Sequence, residues 1–215
     1  MVSTSSTDEV GVRPGMIVRV STLPRPEPGE RPVAARIKEL DALVGRGRLV
    51  EVCVDLLEGA ERTAYVPELR YLTGHSWGPD DPIRDDTVWK DYWVRTWGAR
   101  GLLYCWHDSA TGAVVDGLGD EHYRPAEMCL KVCAKYDVAG SGPGAAALTR
   151  HELPRVRANA VRTLGVVGDT EHVEDVLAVL HDPEEWVREH AARAYTRMAR
   201  RLDLPPLDAV PDPSA

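Results

Sequence analysis

Val156-Arg157-Ala158-Asn159-Ala160-Val161-Arg162-Thr163-Leu164 is written again, 31 residues on, as Val187-Arg188-Glu189-His190-Ala191-Ala192-Arg193-Ala194-Tyr195. Two earlier segments fall in the same register at the same step: Val94-Arg95-Thr96-Trp97-Gly98-Ala99-Arg100-Gly101-Leu102 and Pro125-Ala126-Glu127-Met128-Cys129-Leu130-Lys131-Val132-Cys133. The lead arginine stands at 95, 157 and 188, with Ala126 in the second copy, and a basic residue recurs in step at Arg100, Lys131, Arg162 and Arg193. Second segments at the same period, 109–118, 144–148 and 171–180, lie between the copies, so each repeat reads as a helical hairpin. A fixed period of this kind means stacked repeats, because one unit cannot bury its apolar face alone.

Winding each copy at about 100° per residue, with Arg95, Ala126, Arg157 and Arg188 as position zero, separates its faces. Small and apolar residues fill positions −1, +3, +4 and +7 and predict the core side. The basic position, +5, points almost opposite. Beside it lie position +2 (Trp97, Met128, Asn159, His190) and position +9 (Tyr104, Lys135, Val166, Arg197).

Upstream of the repeats the pattern changes. Segments 16–22, 33–40, 48–57 and 62–66 alternate and are separated by Gly- and Pro-rich stretches, which predicts short antiparallel strands. Residues 58–61 read as a hairpin turn and 67–72 as a closing turn of helix. The expected organisation is a disordered lead-in at 1–11, a small β-barrel-like domain at 12–74 and an acidic linker at 75–87. Helical repeats of about four units follow at 88–202, with a disordered Pro- and Asp-rich tail at 203–215. The expected fold class is therefore α+β. The N-terminal domain reads as a cap on the open end of the repeat stack.

The chain of 215 residues carries a net charge of −8, which argues against a general nucleic-acid coat. It contains no Phe, and its basic residues are mostly Arg, a bias that suits a GC-rich bacterial genome. The N-terminus lacks the apolar core of a signal peptide, and no run reaches membrane-spanning length. A cytoplasmic protein without membrane contact is expected. Cys53, Cys105, Cys129 and Cys133 form no Cys-x-x-Cys pair and lie among apolar neighbours, so they read as buried free thiols. The acid run in 80–86 lacks calcium-loop spacing. No metal site and no cofactor is expected.

Residues 154–165 and 186–195 resemble the helix of HEAT and HEAT-like (phycobilisome-lyase-type) repeats, and the resemblance extends over 88–202. The element order of 12–74 and its ending, Tyr65-Val66-Pro67-Glu68-Leu69-Arg70-Tyr71-Leu72, are similar to SH3-like small barrels, a resemblance that implies a binding or docking module as the alternative to a cap. The HEAT resemblance implies an α-solenoid whose concave groove is lined by one helix of each unit. It also implies that Arg95, Arg157 and Arg188 stitch neighbouring repeats, with Asp120 and Asp182 placed near turns to receive them. The candidate groove comprises Trp97, Arg100, Tyr104, Met128, Lys131, Arg162, His190, Arg193 and Arg197. Two readings of it stand side by side. In one, the cations are a solvated face pairing locally with Glu127 or Glu189; in the other they attract an acidic partner segment.

The expected function is a non-catalytic adaptor or scaffold protein that binds an acidic protein segment. The alternative is a DNA-binding or DNA-repair protein similar to the HEAT-like alkylpurine glycosylases, with Trp93, Trp97 or Trp186 beside Arg100 or Arg162. No His-Glu pair recurs at 31 residues, as HEAT-like diiron hydroxylases would require, and nucleophile elbows and phosphate loops are absent.

Overall fold

The computed structural model describes residues 23–26, 31–75, 85 and 87–210. These form helices α1 (Val33–Val44), α2 (Arg46–Leu57), α3 (Val66–Thr73), α4 (Asp91–Leu102), α5 (Thr111–Asp116), α6 (Tyr123–Tyr136), α7 (Gly142–Leu148), α8 (Pro154–Val167), α9 (Val173–Ala178) and α10 (Glu185–Leu202), with short 3-10 turns between some of them.

Among the described residues there is no strand and the fold is all-α, which overturns the expected α+β class and the SH3-like barrel. Segments 33–40 and 48–57 lie in α1 and α2, and 62–65 is a 3-10 turn leading into α3. The expected strand at 16–22 lies outside the described residues. The reason is visible in α2. Its valines at 50, 52 and 54 alternate like a strand, yet Leu49, Val52, Cys53 and Leu56 recur at the helical spacing and are fully buried, while Val54 is only half-buried. Burial along that stripe outweighs the modest β preference of valine. The closing turn of helix expected at 67–72 falls within α3.

The 31-residue step governs the rest. Helices α6, α8 and α10 begin at 123, 154 and 185, and the short helices α5, α7 and α9 begin at 111, 142 and 173. The long helices pack in sequence, α4 on α6, α6 on α8 and α8 on α10, and α2 extends the row by packing on α4. The core positions inferred from the register are buried in every copy, apart from half-buried Ala192 at position +4 of α10. One continuous hydrophobic cluster runs from Ile37 to Met198, so the N-terminal helices share the core of the repeats. Beyond α10, Leu207 and Val210 pack against that cluster and Tyr195 Oη donates to Pro205 O at 2.9 Å.

Arginine stitches join successive units. Arg95 donates to both oxygens of Asp120, at 2.6 and 3.0 Å, and Arg157 does the same to Asp182, at 2.6 and 2.9 Å. Arg188 instead donates to the carbonyls of Asp182, at 2.7 Å, and Pro183, at 3.1 Å.

Candidate functional site

A cavity of about 140 Å³ opens where α4, α6 and α8 meet. Helix α4 contributes Trp93, Thr96, Trp97 and Arg100; α6 contributes Arg124, Glu127, Met128 and Lys131; α8 contributes Arg155. In the repeat register these are positions −2, +1, +2 and +5. Residues at −2 and +5 are seven apart, two helical turns, so the four positions form one stripe on each helix. Successive helices lay their stripes side by side.

The stripe joins aromatic walls to positive charge. Trp93 stacks on Trp97 with ring centroids 6.2 Å apart, and the Arg124 guanidinium lies 4.4 Å over the Trp93 ring. Arg124 also lies 5.3 Å from the Tyr123 ring, as does Arg155. Cation–π contacts of this kind hold a guanidinium in place without neutralising it. Glu127 is the one carboxylate lining the cavity, and its side chain is almost fully buried. It accepts from Lys131 Nζ at 2.7 Å and from Arg155 Nε at 2.8 Å, with a second bond from Arg155 Nη2. Burial alone would raise its pKa; the hydrogen bonds from Lys131 and Arg155 outweigh burial and hold it below the usual glutamate range. Glu127 is therefore a fixed anion that positions two cations. Arg100 and Arg124 have no carboxylate partner among the described residues. Four cations against one carboxylate leave the cavity net positive in an acidic chain.

Of the residues expected in the groove, Trp97, Arg100, Met128 and Lys131 come together here. Trp97 is 5 % exposed, so it presents only part of its ring. Tyr104 does not join them, because α4 ends at Leu102 and the +9 position leaves the stripe; its ring instead lies 5.5 Å from Lys135 Nζ. Arg162, His190, Arg193 and Arg197 stand on α8 and α10, away from the cavity. The local pairing of the plainer reading also occurs, as Lys131–Glu127 at 2.7 Å and Arg193–Glu189 at 3.3 Å.

The candidate groove read from the sequence omitted Thr96, Arg124 and Arg155; Trp93 entered only in the DNA-repair alternative and Glu127 only as a local partner of the cations. The signal was present, since counting two turns back from the recurrent cation gives Trp93, Arg124, Arg155 and Trp186. Counting forward to +9 ran past the end of α4.

Elsewhere, all four cysteines are free and buried. Among the described residues no helix is long and apolar enough to cross a membrane.

Residues 142–213 match the family model for HEAT repeats, which spans α7 to α10. Helices α4 to α6 lie outside that match, yet α5 and α6 keep the 31-residue step and α4 begins 32 residues before α6. No curated protein and no solved structure matches the chain.

Proposed function

We propose that the chain is an interaction or scaffold protein that binds an acidic segment of a partner protein at the cavity between α4, α6 and α8. The match to HEAT repeats supports an interaction role in general. The observation that carries the specific reading is Arg100, Arg124, Lys131 and Arg155 converging, with Trp93 and Trp97, on one cavity beside a single paired carboxylate. Arginine forks suit carboxylates, and a recess walled by low-dielectric rings strengthens their field. Glu127 has a task that needs no reaction, because it pre-orients Lys131 and Arg155.

The test is a fluorescence-anisotropy titration of a labelled acidic peptide against the wild type and an Arg100→Glu/Lys131→Glu variant, with labelled duplex DNA in parallel. Peptide binding that disappears in the variant is the expected result. Tight DNA binding that falls steeply with salt, and is lost in the same variant, would replace this reading with the nucleic-acid one.

A further inference from the structure

The stripe does not stop at the cavity. On α8 it continues to Arg162, and on α10 it holds Trp186, Glu189, His190 and Arg193. Over α4, α6, α8 and α10, positions −2, +1, +2 and +5 carry six cations (Arg100, Arg124, Lys131, Arg155, Arg162, Arg193) and two carboxylates (Glu127, Glu189). A chain of net charge −8 thus keeps one band of net positive charge across four helices.

Trp186 stands at the position of Trp93, three repeats later. It is 42 % exposed, and its ring meets His190 edge-on at 6.1 Å. Nothing in the core needs a tryptophan there. Arg162 has no carboxylate partner among the described residues. Among the described residues Arg193 pairs only with Glu189, within the same helix and in solvent, a bond of little net worth that a ligand can displace. His190 sits between these cations: burial, then Arg193 and Arg162, hold its pKa below the ordinary histidine value, with Glu189 opposing them.

We infer that Trp186, Arg162, His190 and Arg193 form a second subsite for the same acidic protein segment, bound extended across the helices. This inference rests on the function proposed above. Packed helices lie about 8–10 Å apart, so the two steps from α6 to α10 cover roughly 16–20 Å. An extended chain advances about 3.3 Å per residue, so five or six residues bridge the subsites. The segment carries carboxylates over the basic rows and a ring or apolar side chain on Trp186.

Two labelled peptides of alternating Glu and Tyr, four and ten residues long, test this against the wild type, Lys131→Glu and Trp186→Ala/Arg162→Glu. The altered residues of the last variant are exposed and outside the cavity, and an unchanged melting curve confirms its fold. The ten-residue peptide binds the wild type at least tenfold more tightly than the four-residue one, and this advantage vanishes in Trp186→Ala/Arg162→Glu. The four-residue peptide loses binding only in Lys131→Glu. In the complex with the long peptide, the proton-NMR titration of His190 moves to higher pH, as a carboxylate beside the ring requires. Equal affinity of the long peptide for the wild type and Trp186→Ala/Arg162→Glu would overturn the second subsite and leave the cavity reading standing. Failure of both peptides to bind the wild type would overturn the cavity reading, and the subsite with it.

Discussion

Arg157 holds Asp182 in a two-pronged grip, Nε to Oδ2 at 2.6 Å and Nη2 to Oδ1 at 2.9 Å, while its third nitrogen donates to the carbonyls of His151 and Glu152. One side chain thereby ties the turn before α8 to the turn before α10. Arg95 and Asp120 repeat the grip at the same separation of 25 residues. In the copy between them the arginine is Ala126, and 25 residues on stands His151 in place of the aspartate. The turn still works, because Asp120, His151 and Asp182 each accept from the backbone N–H two residues on, at 2.8, 3.0 and 2.9 Å. Both partners of the middle stitch are replaced together, so no charge is buried alone.

The Arg157–Asp182 pair is mostly buried, with side chains 13 % and 4 % exposed. Removing one partner of such a pair costs about 3–5 kcal/mol, because the other is stranded. Arg157→Ala and Asp182→Ala are each expected to lower stability by about that amount in urea unfolding, with a coupling of about 1–3 kcal/mol in the double variant. Additive losses would show that the grip is incidental. Arg157 holds the Asp182 carboxyl below its ordinary range, so this stability is present above about pH 4 and is lost as the pH falls through the lowered value.

Gly98 is where α4 meets α2 most closely. A Cβ there would lie 2.5 Å from Cys53 O and 2.6 Å from Leu57 N, both backbone atoms that cannot swing aside. Gly98→Leu is expected to abolish cooperative unfolding, and Gly98→Ala to cost at least the 1–3 kcal/mol typical of overpacking, about. Gly47 has nothing within 4 Å of such a Cβ, so Gly47→Ala is the control and leaves the melting temperature unchanged or slightly raised. An unaltered melting curve for Gly98→Leu would contradict the packing of α4 on α2.

The register of the repeats was legible because a 31-residue period multiplies one signal: a core position seen at Val156 is seen again at Val94, Pro125 and Val187. The N-terminal helices have no such echo. There, Val50, Val52 and Val54 had to be judged alone, and a short β-branched run carries strand and helix patterns at once. The cavity was half legible. Its cations at +5 recur in step, but Glu127 occurs once, and its role depends on Arg155 arriving from the next helix, 28 residues away. Thr163 likewise donates to Leu130 O at 3.0 Å, a contact between repeats that no spacing within either helix announces.

His122 caps α6 by accepting from Arg124 N–H at 3.2 Å through Nδ1, and its ring stacks on Tyr92 with centroids 3.6 Å apart. Protonation ends the acceptor role. Burial first, then the Arg124 charge, lower its pKa below the ordinary value, with Asp120 and Glu121 opposing and Arg95 adding to the shift. The unfolded chain therefore binds more protons than the folded one just below neutrality, and stability rises with pH there. The expected result is a melting temperature that falls as the pH drops from about 6.5 through the depressed folded value. His122→Asn keeps a capping acceptor without a titrating ring and flattens that slope. An identical slope in wild type and variant would assign the acid sensitivity to another group.

The thiols give the last prediction. Cys53 and Cys105 are fully buried with their Sγ atoms 3.9 Å apart, between α2 and the turn after α4. The contact with Cys105, and then burial, push the Cys53 thiol well above its ordinary pKa; burial does the same to Cys129 and raises Cys133 to about 11. The thiolate is the reactive form, so these groups are inert for two reasons at once, access and ionisation. Ellman's reagent at pH 8 is expected to find almost no reactive thiol in the native protein and four in 8 M urea, at a native rate set by unfolding. Adding urea below the transition should leave that rate tied to the unfolded fraction. Rapid native labelling of Cys53 would mean that α2 separates from α4 without global unfolding, and would break the single core into two.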